Sequence, residues 1–156
     1  MDRLAEEILL DHRLNDNVTY LITSAVEGEG ATFVAGRLAE RLSILHSGEV
    51  FLFSIPKQDS ADRDTGDSLR IELFEKLKQK YSIVIIDASG VLSSDRVTPF
   101  FDITDSVIMV IKAGVTRKTL VIEAVNKLKR FKIPILGVFL NGQRHRIPRW
   151  IYNFIT

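Results

Sequence analysis

The sequence of 156 residues contains no cysteine, only four prolines and a single tryptophan. Without cysteine, the chain has no disulfide framework, no thiol nucleophile and no thiolate metal ligand. Its longest apolar runs, such as residues 83–86 and 107–111, are far shorter than the roughly 20 residues of a membrane-spanning helix. The acidic N-terminal segment lacks the layout of a signal peptide. We therefore expect a cytoplasmic protein.

The formal net charge of +1 conceals an uneven distribution of charge. Residues 1–111 hold 11 basic and 19 acidic side chains, whereas residues 112–156 hold 10 basic and one acidic side chain. Aromatic residues, Trp150, Tyr152 and Phe154, lie among the basic ones. Such a segment suits an anionic membrane surface, nucleic acid or an acidic partner. A solvated helix face followed by a packed terminal helix has the same composition.

Apolar runs bounded by turn residues alternate with segments of helical period. Strands are predicted at 18–23, 50–53, 83–87, 107–111 and 135–140, and helices at 32–45, 68–80 and 118–131, with a shorter helix near 96–101. Because the strands are apolar at consecutive positions, both faces of their sheet need cover. This pattern predicts an α/β fold, with a mostly parallel sheet of about five or more strands between helices on both faces. We expect one domain over 1–156, with a leading helix over 1–16 and a terminal helix over 147–156.

A glycine-rich segment, residues 23–33, connects the first predicted strand to a long helix. Strand, glycine-rich turn and helix start form an arrangement that aims backbone N–H groups at a phosphate. A tight turn without a ligand is the other interpretation. The dinucleotide-binding fingerprint G-x-G-x-x-G fails, because Phe33 occupies the place of its third glycine and the second strand ends in Ser54 instead of an acid.

The P-loop pattern G-x-x-x-x-G-K-[ST] fits the same segment better. Gly30 and Thr32 occupy their expected places, but Ala25 replaces the first glycine and Ala31 replaces the lysine. The segment therefore predicts a P-loop with a degenerate Walker A motif.

Five segments carry a family resemblance, in order along the chain: 23–39 with its Gly-Glu-Gly core, 81–87, 105–110, 116–117 and 136–141. Together they resemble the bacterial tyrosine kinases of capsule and exopolysaccharide synthesis, which are related to the cell-division and partition ATPases. The resemblance runs from about Val18 to Tyr152. It implies a P-loop NTPase-like fold.

The resemblance also implies a site for ATP or ADP with Mg²⁺. The implied cofactor-binding residues are Gly28, Glu29, Gly30, Ala31, Thr32, Phe33 and Asn141, the last of them toward the purine base. Thr32 and Asp87 would hold the metal, and Asp87 is the one candidate catalytic residue if the chain is active. From the residues alone, Asp87 could instead cap the loop 88–90, and Asn141 before Gly142 is equally typical of a turn.

Several departures from the family pattern predict a loss of activity. Ala31 removes the point charge that a lysine supplies to the β and γ phosphates, which should slow transfer on the order of a hundredfold or more. The second strand runs into Ser54 where relatives carry acids, and of three tyrosines only Tyr152 lies in the tail. Glu27 and Glu29 place two carboxylates close to a pocket that lacks this cation. We therefore expect weak or absent nucleotide binding.

The predicted function is that of a regulatory or binding module of exopolysaccharide or capsule biosynthesis with weak or no kinase activity. The alternative is an active tyrosine autokinase or ATPase that needs a membrane partner or an oligomer, with a basic residue supplied in trans. A cell-division ATPase is disfavoured because Val26 replaces the signature lysine, and a receiver domain because the first strand lacks paired acids.

The family resemblance implies partners as well. They are a membrane polysaccharide co-polymerase or chain-length regulator and further copies of the chain, with no nucleic acid. A peripheral position at the inner face of the plasma membrane would follow from such a partner.

Overall fold

The computed structural model describes residues 1–16, 18–55 and 66–142 and, within these ranges, the side chains of all residues except 66–71. The predicted terminal helix over 147–156 and Tyr152 lie outside the described residues. Among the helices described, none has the length and apolar character needed to cross a bilayer.

Helices and strands alternate along the chain, as the apolar pattern predicts. The helices are α1 (Asp2–Asn15), α2 (Ala31–Leu45), α3 (Gly66–Lys80) and α4 (Lys118–Arg130), and a 3₁₀ helix spans Asp95–Ile103. The strands are β1 (Thr19–Ser24), β2 (Val50–Ser54), β3 (Ile83–Asp87), β4 (Ser106–Lys112) and β5 (Ile135–Asn141). The predicted short helix near 96–101 is thus a longer 3₁₀ helix, and Pro99 within it lacks a helical donor.

The five described strands form one parallel sheet in the order β2-β3-β1-β4-β5. This confirms the predicted α/β fold. In the dinucleotide-binding order 3-2-1-4-5, β1 and β2 would be neighbours, whereas here β3 lies between them. The carboxyl end of β1, where the glycine-rich loop begins, is therefore next to the carboxyl end of β3, which ends at Asp87.

Two apolar layers cover the sheet, one on each face. Every residue of the central strands β1 and β3 is buried, because successive side chains point to opposite faces and both faces are covered. One layer contains α1 and α2, and the other contains Phe74 of α3, the 3₁₀ helix, and Ala124 and Leu128 of α4. The helix α2 packs Val34, Ala35 and Leu38 against the sheet, which places its N-terminus at the carboxyl edge.

The helix α1 packs on α2 through Ala5 and Ile8. Near the carboxyl ends of these two helices, the rings of His12 and His46 meet edge to face with 5.4 Å between their centroids. Burial lowers the pKa of His46 below its usual value, and the nearby His12 lowers it further. The folded protein therefore holds His46 neutral to a lower pH than the unfolded chain does.

We expect the folded state to lose stability as the pH falls through the range in which His46 titrates. The low folded-state pKa means that the unfolded chain binds a proton first, so the stability present above a pH of about 6.5 is lost as the pH falls through the folded-state pKa. His46→Gln should show a smaller decrease in Tm between about pH 7.5 and about pH 5.5 than the unmodified chain. An equal decrease in both proteins, measured by circular dichroism, would contradict this assignment.

Candidate functional site

The loop between β1 and α2 takes a backbone conformation that two of its glycines allow. Gly28 has φ +82° and Gly30, the residue that caps α2, has φ +95°. Side chains with a Cβ rarely adopt this left-handed region. The loop therefore turns sharply into α2, and the helix begins at Ala31.

Backbone N–H groups line this turn. No described residue accepts a hydrogen bond from the amides of residues 28–33, and the first helical bond in this turn runs from the Val34 amide to the Gly30 carbonyl at 3.0 Å. The first turn of a helix leaves such donors without intrahelical acceptors and adds the positive end of the helix dipole. Free amides at a helix start are the donors that bind phosphate in other proteins, and phosphate binding by this loop, called the cradle below, stays a prediction.

The side chain of Glu29 holds the loop from inside the protein. It is only 3% exposed, and its carboxylate accepts hydrogen bonds from the Val26 amide, at 3.1 Å, and from the Thr116 hydroxyl. The Thr116 oxygen in turn accepts the Lys112 amide at 3.1 Å, at the end of β4. The expectation of two carboxylates at the pocket is therefore corrected: the Glu29 carboxylate points into the protein, because its partners lie there.

Asn141 ties the loop to the opposite strand. It is the last residue of β5, and its side-chain amide donates to the Glu29 carbonyl at 2.9 Å. A Cβ atom at Gly30 would collide with this amide, so the strand and the loop approach closely only because residue 30 is glycine. The contact of Asn141 with a purine base stays a prediction. In this structure, the Asn141 side-chain amide binds the backbone of the loop.

The segment after β3 also packs on the loop, backbone against backbone. The amides of Val91 and Leu92 donate to the carbonyls of Ser24 and Ala25 at 2.9 and 3.1 Å. A Cβ atom at Gly90 would lie 2.5 Å from the Cα atom of Val26. A change of shape in either loop must therefore move the other.

A cavity of about 490 Å³ opens above the cradle. Its lining residues are Ser24, Glu27, Gly28, Gly30, Ala31, Thr32, Phe33, Ala88, Ser89 and Gly90. The lining contains five of the predicted cofactor-binding residues, and Glu27 is its one charged side chain among the described residues. The described lining of the cavity therefore carries one negative charge, on the exposed Glu27, and no positive charge.

The two predicted metal ligands lie at this edge of the sheet. Asp87 ends β3 with 6% exposure, and its carboxylate accepts a hydrogen bond from the Ser54 hydroxyl at 3.3 Å. Thr32 lies in the first turn of α2 and lines the cavity. Asp87 itself is not among the residues that line the cavity. Mg²⁺ usually takes one or two protein carboxylates together with phosphate and water, and the assignment of Thr32 and Asp87 to the metal stays a prediction.

The two described tyrosines differ in their exposure. Tyr20 is fully buried in β1, and its hydroxyl donates to the Ile8 carbonyl at 3.3 Å. Burial and the neighbouring Asp11 raise the pKa of Tyr20 far above its usual value. Tyr81 stacks on Phe51 with 4.8 Å between the ring centroids. Phosphorylation at Tyr20 would require its buried contacts to open, whereas Tyr81 is half-buried.

Similar folds occur among solved kinase domains. The chain matches the VpsO kinase domain with a TM-score of 0.72 and 23% identity over 90% of this chain and 92% of that one. It matches the kinase domain of the Escherichia coli tyrosine kinase ETK with a TM-score of 0.73 and 17% identity, over 88% and 72% of the two chains. These likenesses confirm the fold that the sequence resemblance implies.

A nucleotide-binding protein from Archaeoglobus fulgidus, solved in complex with ADP, also has a similar fold. Its TM-score is 0.59 and its identity 12%, over 93% of this chain and 74% of that one. No protein-family model matches the sequence, and no curated protein matches it. The similarity to these structures is therefore one of fold.

We expect Gly90→Ala to destabilise the protein by about 1–3 kcal/mol, because the added Cβ would overlap backbone atoms that cannot move aside as a flexible side chain would. Thermal unfolding measures this loss. Gly36→Ala is the matched control, since nothing lies within 4 Å of a Cβ built there and alanine is the better helix former by about 1 kcal/mol. Equal stability of the Gly90→Ala variant and the unmodified chain would contradict the close packing of the two loops.

Proposed function

We propose that the chain is a catalytically impaired member of the tyrosine-kinase family of capsule and exopolysaccharide synthesis that binds ADP or ATP as a regulatory module. One observation carries the proposal. The amides of residues 28–33 have no acceptor among the described residues, and no described residue that lines the cavity is a lysine or an arginine. This combination supports phosphate binding by backbone N–H groups and argues against efficient phosphoryl transfer.

Binding and catalysis depend on different parts of such a site. Backbone amides hold a bound phosphate by hydrogen bonds and need no charged side chain. Transfer of a phosphoryl group also needs a positive charge where the transition state develops negative charge, and a single such donor contributes about 3 to 4 kcal/mol. Ala31 stands where the cation would be, and Glu27 lines the same cavity. The absence of the cation therefore slows phosphoryl transfer more than it weakens phosphate binding.

Thr32 and Asp87 are the residues that would hold Mg²⁺. When bound with the nucleotide, the ion neutralises part of the phosphate charge. In a cavity whose one described charged lining residue is Glu27, this neutralisation also offsets the repulsion between that carboxylate and the phosphates. We therefore expect nucleotide binding to depend strongly on Mg²⁺.

The implied partners fit a module that binds without transfer. A membrane polysaccharide co-polymerase or chain-length regulator would carry the chain at the inner face of the membrane, and further copies of the chain would complete a homo-oligomer. Exposed basic residues on α4, Lys118, Lys129 and Arg130, offer a positive surface for such contacts. Because the loop is hydrogen-bonded to the connection between β4 and α4 through Thr116, a bound nucleotide can influence this surface.

Restoring the missing lysine tests the proposal. We expect the unmodified chain to bind ADP in the presence of Mg²⁺ and to show no detectable autophosphorylation. Ala31→Lys should bind ADP about tenfold more tightly or better, because a charge-assisted hydrogen bond to phosphate contributes about 1.5–3 kcal/mol. Isothermal titration calorimetry measures the affinity, with Ala31→Met as the control that matches the side-chain length without the charge.

Two results would contradict the proposal. Robust Mg²⁺-dependent tyrosine phosphorylation by the unmodified chain would show an active kinase. Absence of ADP binding by the unmodified chain at millimolar concentration, with and without Mg²⁺, would show that the cradle is a structural turn.

A further inference from the structure

Phe33 is the most exposed phenylalanine of the described part of the chain. Its side chain is 64% exposed, although it lies in the first turn of α2 and lines the cavity. The other described phenylalanines pack in the apolar layers or, like Phe131, against another ring. An aromatic side chain that faces water at a ligand cavity is a candidate contact for the ligand.

The fold does not depend on this side chain. The helix α2 packs on the sheet through Val34, Ala35 and Leu38, and Phe33 belongs to neither apolar layer. Phenylalanine is also a poorer helix former than alanine. The exposed ring of Phe33 therefore stabilises neither the packing of the core nor the helix α2.

The ring is attached to the cradle itself. The amide of Phe33 is one of the donors of residues 28–33 that no described residue accepts. Phe33 lines the same cavity of about 490 Å³ as Gly28, Gly30 and Thr32. A ligand bound at this loop therefore lies within reach of the ring. A phenyl ring in this place can stack on a planar group of the ligand. Because the ring carries no charge, this contact does not depend on the negative charge of Glu27.

We propose that Phe33 stacks on the nucleobase of the nucleotide whose phosphates lie on the cradle, so that the cavity selects a nucleoside phosphate over a bare phosphate chain. This inference rests on the proposed function and names a specificity residue of the same site. Stacking of one base on an aromatic side chain changes affinity by about tenfold to a hundredfold. It compensates in part for the charge that Ala31 does not supply.

Two ligands separate the base from the phosphates. ADP and pyrophosphate, each with Mg²⁺, are titrated into the unmodified chain and into Phe33→Ala and Phe33→Trp. We expect Phe33→Ala to bind ADP at least tenfold more weakly and pyrophosphate unchanged, because pyrophosphate has no base. Phe33→Trp should bind ADP as the unmodified chain does, since its ring also stacks.

Ile44→Ala is the matched control. Ile44 lies in the last turn of α2, at the end remote from the cavity, and is 67% exposed. The Ile44→Ala substitution removes a similarly exposed apolar side chain and should leave the affinities for ADP and for pyrophosphate unchanged. Circular dichroism checks that all variants unfold at similar temperatures.

Each other outcome contradicts the inference in its own way. Equal ADP affinity of Phe33→Ala and the unmodified chain would show that the ring makes no contact. Tighter ADP binding by Phe33→Ala would show that the ring obstructs the cavity. An equal loss of affinity for ADP and for pyrophosphate in Phe33→Ala would show that Phe33 maintains the conformation of the phosphate-binding loop and does not contact the base. If neither ligand binds to the unmodified chain, the proposed function fails and this inference fails with it.

Discussion

The buried carboxylate of Glu29 holds the loop on which the site depends. It accepts the Val26 amide within the loop and the Thr116 hydroxyl from the connection after β4, so it joins the loop to the sheet edge. A buried carboxylate without such donors would cost several kcal/mol, and its two partners satisfy it here. With the Asn141 amide on the Glu29 carbonyl, the loop is held both by the connection after β4 and by the end of β5.

The shape and the charge of this site have separate origins. Gly28 and Gly30 allow the turn, and the segment after β3 supports it from the other side. In a typical P-loop, one lysine side chain supplies the positive charge. Alanine occupies that position here and does not weaken α2, because alanine is the best helix former. A loop of this shape can therefore keep its structure whichever residue occupies position 31.

The fold was predictable because its signals are local. Consecutive apolar residues bounded by turns place the five strands, and the 3.6-residue period places the helices, so the observed bounds differ from the predicted ones mainly by a residue or two at their ends. The order of the strands in the sheet was not predicted, because it depends on contacts between residues far apart in the chain. The roles of Glu29 and Gly90 were not predictable: the sequence suggested two equivalent carboxylates at the pocket, and Gly90 has no local signal of a close contact with Val26.

By itself, the sequence determined the α/β layering, the position of the glycine-rich loop and the alanine at position 31, since each depends on residue types at short separations. Only the tertiary structure decided which carboxylate faces the cavity and what the Asn141 amide contacts. It also decided that Phe33 lies in solvent beside the cradle. These features depend on residues far apart in the chain, such as Glu29 and Thr116, and become neighbours only when the parallel strands bring their carboxyl ends to one edge.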